Sequence, residues 1–317
     1  MAEDSGFTAD IFRVAQEFRK RVNARDAQAA REIIRAYEVA FKGNQAQWNK
    51  LLKQIEGKTA TRGQLVRIWR AERMDEQIRG ALTRALRSAH ITITDGQAAM
   101  LSNGTRQAGA MFDAALPPGI DRKVLGQIGL EWNAVPEDAL AQIIGTMGDG
   151  SPIARTLATI PGNTAKGLES ELIDGILRGL GPKQTARNVV NRYGLGLTRA
   201  LTISRTEMLR SYRESSRAVY AGNKGLVKGY KRIATQDDRS CMACIAADGE
   251  FYSLGRPLPA HVNCRCITVP VTLTYKEMGL DVPEPPATVP RARDWFSKQP
   301  AGTQRAMMGK TRFEAWQ

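Results

Sequence analysis

Histidine is almost absent from this chain, with 2 residues in 317, and cysteine is scarce, with 4. So few cysteines exclude a disulfide-dense scaffold, and 42% hydrophobic with 25% charged residues excludes wholesale disorder and a collagen-like repeat. No window approaches 18 uninterrupted apolar residues, so the sequence predicts no membrane-spanning helix and no membrane partner. The first residues, Met1 to Asp10, carry acids where a signal peptide carries bases and an apolar run, which predicts synthesis and first action in the cytosol. Catalytic signatures are missing as well. No G-x-x-x-x-G-K-[ST], G-x-G-x-x-G or G-x-S-x-G stands in a strand-to-helix setting, and neither H-x-E nor H-E-x-x-H occurs.

Acidic charge is also in deficit. Lys+Arg 46 against Asp+Glu 32 leaves a net charge of +14, and 32 of the bases are arginine. Such a surface attracts polyanions, either nucleic acid or an acidic protein, and arginine suits forked contacts to phosphate or carboxylate. The bases concentrate in residues 1–90 and 199–240 and flank a neutral middle. A chain of this length has room for two domains and a tail.

The N-terminal part reads as helical hairpins. Phe7, Ile11, Val14, Phe18 and Val22 form one stripe by steps of three and four. Asp26 is placed to cap a second helix, with Gly43-Asn44 as its stop or kink before Trp48, Leu51, Leu52 and Ile55. A third helix is predicted from Thr61 to about His90. Asp95 to Leu116 reads as helical, Pro117-Pro118-Gly119 as a turn, and Gly148 to Pro161 as a linker or exposed loop. Helices follow at Leu168–Leu180, at Pro182–Tyr193 opened by Gly181-Pro182, and from Leu197 to Ala221.

On a helical wheel the last of these segregates its residues. Leu201, Met208, Tyr212 and Val219 share an arc, whereas Arg199, Arg210, Arg213 and Arg217 lie on another, predicting a basic face for a polyanion or a partner protein. Arg205 falls inside the apolar arc. An unpaired buried charge costs on the order of 3–5 kcal/mol, so Arg205 is expected to pair with an acid from another segment, with Asp237 and Asp238 proposed.

Beyond Gly222 the periodicity changes to strand-like. Gly229 to Thr235 and Cys266 to Leu273 read as strands, the second interrupted by Pro270, with a turn at Asp237-Asp238-Arg239-Ser240. Pro283 to Pro290 reads as an extended linker before an amphipathic tail bearing Trp295, Phe296, Met307, Phe313 and Trp316. The fold class is therefore mainly α with a small β element (α+β). The expected division is a helical domain over 1–150, a linker over 151–167, a domain over 168–275 capped by a Cys/His-rich β-loop, and a linker with tail over 276–317.

All four cysteines fall in that cap, as Cys241-x-x-Cys244 and Cys264-x-Cys266, with His261 three residues ahead of the second pair. Five candidate ligands thus compete for the four places of a tetrahedral structural zinc, which can supply on the order of 10 kcal/mol of folding free energy. Disulfides and buried reduced thiols are the competing readings. Asp248 and Glu250 stand nearby, but without a zinc-enzyme spacing they leave a deaminase or protease mechanism lacking its general base.

Taken in order, several motifs resemble the Mu F-like minor head proteins, the head-morphogenesis proteins of tailed bacteriophages. They are Ile203-Ser204-Arg205-Thr206-Glu207, Asp237 to Cys244, Asp248-Gly249, Pro259 to Cys266 and Val269-Pro270-Val271. The resemblance covers about Leu168 to Thr274, and Asp294-Trp295-Phe296 through Trp316 looks like the tail of such proteins. It places the family's arginine-threonine-glutamate motif on Arg205, Thr206 and Glu207, its acidic turn on Asp237, and its cysteine-histidine cluster on the five candidates. Val262 departs from the proline that often follows the histidine. The resemblance implies a low-copy virion protein beside the portal protein, acting in procapsid assembly and DNA packaging or ejection. Major capsid or scaffolding protein and double-stranded DNA are its further expected partners. A zinc-dependent enzyme acting on nucleic acid or host protein is the alternative, and a regulatory DNA-binding protein with a zinc ribbon is a third reading.

Overall fold

The computed structural model describes residues 9–55, 61–178, 180, 182–285 and 291–317. Phe7, Gly181 and the 286–290 part of the expected proline-rich linker lie outside the described residues, as do the side chains of Leu51, Leu52 and Ile55.

The chain is mainly helical, with one small antiparallel sheet. Helix α1 spans Ala9–Ile55, α2 Arg62–Ala71 and α3 Met74–Asp113; α4 (Arg122–Gln127) and a 3-10 turn (Asp138–Ile143) follow. Then come α5 (Ile153–Ala158), α6 (Ile160–Leu177) and α7 (Pro182–Gly222). The remainder is β1 (Val227–Ile233), α8 (Met242–Ala246), β2 (Phe251–Ser253), β3 (Ile267–Thr272), α9 (Ala292–Ser297), α10 (Ala301–Met308) and α11 (Lys310–Trp316).

The expected breaks at Asp26 and Gly43-Asn44 do not form. Helix α1 runs through both, and the buried Asn44 amide donates to the Ala40 carbonyl at 3.0 Å. A helical glycine costs only about 1 kcal/mol relative to alanine, less than the burial of Tyr37, Ala40 and Trp48 around it supplies. The helix expected from Thr61 to about His90 is instead interrupted at Arg73, whose φ of 50° separates α2 from α3. Thr61 and Gln64 close a capping box at the start of α2, and α3 continues past His90 to Asp113. The linker expected over 151–167 is helical: Ile153, Leu157, Ile160 and Ala165 are buried along α5 and α6.

The chain divides into two compact units interleaved in sequence, not into consecutive segments. One comprises Arg25–Gly96 and Gly145–Met208. Its core joins Ile33, Tyr37, Trp69, Ile78, Leu82, Leu157, Leu168 and Tyr193, and Arg62 on α2 pairs with Asp174 on α6 at 2.8 Å.

The other comprises Met1–Ala24, Gln97–Ile144 and Leu209–Gln317. Here α3 crosses α7 so closely that a side chain on Gly104 would strike Ser215 Oγ and the Tyr212 carbonyl, and Ser216 Oγ donates to the Gly104 carbonyl at 3.0 Å. The sheet has the order β2-β1-β3, with Tyr230 opposite Tyr252 on one side and Pro270 on the other. Pro270 lies in an edge strand, where its missing N–H leaves no inner ladder bond unmade. Phe112, Leu125, Tyr220, Tyr230, Tyr252 and Phe296 pack in one core with Cys244, Cys264 and Cys266. The tail is therefore anchored through α9, although Trp316 remains 49% exposed.

Candidate metal centre

The site begins at the turn after β1. Asp237 accepts from the backbone N–H of Arg239 and from Ser240 Oγ, both at 3.1 Å, and so shapes the Asp237–Ser240 turn. Its two carboxylate oxygens also receive a fork from Arg265 Nη1 and Nη2, each at 2.6 Å. Burial works to raise the Asp237 pKa, but the Arg265 fork outweighs it and holds the carboxyl below its ordinary range. Because Arg265 stands between Cys264 and Cys266, this fork ties the first cysteine pair to the second.

Cys241 caps α8, its sulfur accepting from the Cys244 N–H at 3.4 Å, which turns both sulfurs toward one point. The chain reverses at Asp248-Gly249, where Gly249 has φ 78°. It returns through β2 to a tight turn in which the Cys264 N–H donates to the His261 carbonyl at 3.0 Å. Asn263 takes φ 62° in that turn, a left-handed conformation that asparagine tolerates better than most residues. His261 Nε2 consequently lies 3.1 Å from Cys241 Sγ and 3.2 Å from Cys244 Sγ. His261 Nδ1 lies 2.7 Å from the Val262 carbonyl. A carbonyl only accepts, so Nδ1 carries the proton and the Nε2 lone pair faces the sulfurs, as a metal-ligating imidazole requires.

The cluster forms two overlapping triads, Cys241-Cys244-His261 and Cys244-Cys264-Cys266, which share Cys244. Cys244 Sγ lies 3.8 Å from Cys264 Sγ, and all four cysteines are free. That separation is far longer than a disulfide bond, and it matches the edge of a tetrahedron with metal–sulfur bonds of about 2.3 Å. Donor type and imidazole tautomer thus fit a metal ion at either triad, and the two triads together offer five donors, Cys241, Cys244, His261, Cys264 and Cys266, for the four places of a tetrahedral ion.

Charge around the sulfurs fits too. Arg232, 4% exposed, directs Nη1 at Cys244 Sγ (3.8 Å) and Cys266 Sγ (3.9 Å), while its Nη2 donates to the Pro259 carbonyl and to Tyr252 Oη. The buried Arg213 donates from Nη1 to the carbonyls of Cys264 (3.1 Å) and Cys266 (3.4 Å), and buried Arg19 donates to the Ile233 carbonyl. Burial lowers the pKa of Arg19 and Arg213, with the neighbouring thiols opposing it. Cys264 is held well below the ordinary thiol range by the hydrogen bonds it receives from Cys244 and Cys266, with Arg213 adding to the effect. A thiolate-rich centre supplies the negative charge that these guanidiniums need.

The nearby acids are already engaged. Asp248 accepts from the N–H groups of Ala234 (2.7 Å) and Ala292 (2.8 Å), and Glu250 accepts from Tyr252 Oη at 2.6 Å. Burial pushes the Asp248 carboxyl up against the pull of those two N–H bonds. Both acids pin loops around the cluster.

Two expectations from the sequence need correction. Arg205 pairs with Asp26, Nε to Oδ2 at 2.8 Å, and not with Asp237 or Asp238: Asp237 is held by Arg265, and Asp238 is exposed. Because α1 does not break at Asp26, its carboxylate is spared from capping and serves Arg205. The basic face of α7 is also largely absent. Arg199 is exposed and Arg210 half-buried, but Arg213 is buried under the cysteine loop, and Arg217 is held by Glu214 (2.6 Å) and the Leu254 carbonyl (3.1 Å). Helical periodicity assigns arginine to solvent, whereas residues 209–220 are buried or half-buried throughout. The roles of Arg19, Arg213 and Arg232 beside the sulfurs were not legible in the sequence, apart from the placement of Arg232 in a strand otherwise facing the core.

Residues 166–269, about a third of the chain, match the family model described as Phage Mu protein F like protein. The match spans most of α6, all of α7, the sheet up to Val269, and every residue of the Cys/His cluster. Comparison with curated proteins and with solved structures returns no match. Over that third of its length the chain is thus similar to Phage Mu protein F like proteins, as its motifs indicated.

Proposed function

We propose that this protein is a phage minor head protein that sits with the portal protein, works in procapsid assembly and in DNA packaging or ejection, and holds one structural zinc. The match over residues 166–269 carries this reading, because it covers the whole Cys/His cluster and the long helix beneath it. The cluster favours a structural over a catalytic ion. Asp248 and Glu250 are spent on backbone and tyrosine contacts, which leaves no carboxylate beside the sulfurs to act as general base for a zinc enzyme. Zinc suits the donors because thiolate and imidazole favour it and it needs no redox partner.

When bound, the ion would cross-link the turn after β1 to the start of β3. The chain's own residues prepare that link: Cys241 caps α8, Val262 orients His261, and Asp237 grips Arg265. Such a clasp holds a small sheet rigid so that outer surfaces can be read by the portal protein and by major capsid or scaffolding protein. The excess of +14 supports association with acidic protein surface and non-specific contact with double-stranded DNA, with Arg199 the exposed member of the four α7 arginines considered. The site of action is then the virion, at the capsid interior or portal vertex, after assembly in host cytoplasm.

Co-expression with the portal protein of the same phage, followed by affinity purification and metal analysis, tests this. Co-purification with the portal and one zinc per chain are expected. A chain that stays alone at low salt and carries no metal would overturn the proposal.

A further inference from the structure

The unit containing α6 and α7 has a pocket of about 200 Å³ that belongs to neither the metal centre nor the Arg205–Asp26 pair. Helix α6 contributes Asn163 and Thr164, and α7 contributes Arg192, Leu195, Gly196 and Arg199. We propose that this pocket binds a phosphate group, and specifically one of the phosphodiesters of a DNA strand. The inference deepens the DNA contact proposed above and rests on that reading for the choice of phosphodiester over free phosphate.

Arg192 and Arg199 stand seven residues apart, which is two helical turns, so both project from one face about 10 Å apart along the axis. Two guanidiniums on one wall repel each other unless an anion lies between them. Neither has a hydrogen bond or acid partner among the described residues. Their neighbours differ: Arg205 has Asp26, Arg213 has two carbonyls, and Arg217 has Glu214. The α7 arginines that serve the fold are thus satisfied within it, whereas this pair is left to meet something outside.

The pocket is also shaped in advance. A Cβ on Gly167 would collide with Arg192 Nε and lie 2.7 Å from its Nη2, so the guanidinium rests on bare α6 backbone where any other residue would displace it. A Cβ on Gly196 would lie 2.9 Å from Thr164 Oγ1 and 3.2 Å from Ile160 Cγ2, so that glycine lets α6 approach α7. Seating Arg192 beforehand removes part of the ordering entropy that a free arginine side chain loses on binding. The planar fork of arginine matches phosphate oxygens, and the Asn163 amide and Thr164 hydroxyl add neutral donors of the kind found on nucleic-acid backbones. The volume admits one phosphate. Leu195, 58% exposed at the rim, offers an apolar edge to a sugar, which inorganic phosphate lacks.

The test uses the full-length protein, a fluorescein-labelled random-sequence duplex of about 25 base pairs, inorganic phosphate and polyglutamate, titrated between 50 and 200 mM salt. The variants are Arg199→Gln, the double Arg192→Gln/Arg199→Gln, and a charge-matched control, Arg67→Gln/Arg70→Gln, on exposed positions of α2. Arg199 is exposed, so its replacement leaves folding intact and keeps the test valid should the double variant misfold. Loss of the one phosphate contact is expected to reduce the log–log salt slope by about 0.9 and to weaken duplex binding about tenfold or more, with a much smaller loss in the control. Equal losses in pocket and control variants would overturn this site while leaving general DNA affinity standing. Pocket-dependent binding of inorganic phosphate without any duplex binding would overturn the phosphodiester assignment and the DNA reading together. Pocket-dependent binding of polyglutamate alone would assign the pocket to an acidic protein and overturn the proposal.

Discussion

Arg232 aims one guanidinium nitrogen at two sulfurs, Cys244 at 3.8 Å and Cys266 at 3.9 Å, from a position 4% exposed. A cation buried this deeply is tolerated only beside compensating negative charge, and the cysteine sulfurs are the groups that stand there to supply it. Without an ion, three crowded sulfurs share protons unevenly: the hydrogen bonds from Cys244 and Cys266 pull Cys264 toward thiolate and push Cys244 up, while Cys266, lowered by its bond with Cys244, is carried up to about 11 by Cys264 and by burial. A divalent cation, if bound as proposed, would let all of them ionise and would bring negative charge to face Arg213 and Arg232.

Chelation should therefore destabilise the unit that carries the sheet and leave the other largely folded. A structural zinc is worth on the order of 10 kcal/mol, more than most single domains have to spare. Thermal unfolding with and without a strong chelator should show one transition lost or shifted down while helical signal from residues 25–96 and 145–208 persists. Coincident melting of the whole chain, unchanged by chelator, would contradict a structural ion.

The five donors should not contribute equally. Cys244 belongs to both triads, so Cys244→Ser should abolish stoichiometric zinc, whereas Cys241→Ser and Cys266→Ser each remove a ligand from one triad only. Metal retention after purification, measured for the three variants, ranks them directly. Full zinc in Cys244→Ser is the result that the geometry forbids.

Arg213 is the sharpest departure from what periodicity suggests. Replacing it with methionine leaves the carbonyls of Cys264 and Cys266 without this donor and removes a buried charge beside the sulfurs, at a cost of about 3–5 kcal/mol. Arg199→Met, on the exposed part of the same helix, should change stability by no more than about 0.5 kcal/mol. Equilibrium urea unfolding of the two variants decides the matter, since equal effects would mean that Arg213 is a surface residue after all.

How far the fold was legible in the sequence follows from the range of each cause. Ile33, Tyr37 and Leu82 lie where the 3.6-residue period puts them, because apolar faces repeat locally. Gly43-Asn44 was expected as a stop or kink, and separate helices were expected over Pro182–Tyr193 and from Leu197, yet helix continues through both places, because the penalty of a glycine is small against tertiary burial. The five candidate donors that the structure gathers into two triads were legible because Cys/His spacing is a local pattern. Arg213 and the Asp237–Arg265 fork were not, because their partners lie 28 or more residues away and only the fold brings them together.

Asp26 and Arg205 offer a clean measurement of such a long-range pair. They lie 179 residues apart, are 14% and 32% exposed, and meet at 2.8 Å. Partial solvent screening holds the coupling to about 1 kcal/mol, below what a fully buried pair would give. A double-mutant cycle with Asp26→Asn and Arg205→Met should return that coupling. The cycle with Asp237→Asn and Arg205→Met should return none, since Asp237 is already held by Arg265.

In the unit that holds α2 and α6, one pH-dependent contact can be assigned to a named pair. Arg62 hydrogen-bonds the Asp174 carboxylate at 2.8 Å and lowers its pKa, with Ser170 assisting. A folded-state pKa below the unfolded value means that the unfolded chain takes up the proton first. The contribution of Asp174 is then complete above the ordinary carboxylate range and fades as pH falls from there through the depressed folded value. Because the pair is open to solvent, its effect should appear in titration more than in global stability. The Asp174 carboxyl carbon, followed by NMR, should titrate below its ordinary range in the native chain and move up toward it in Arg62→Gln. An unchanged midpoint would mean that the pair does not persist in solution, and α2 would then rest on α6 through the apolar cluster of Leu65, Val66 and Ile68 with Ile173 and Ile176.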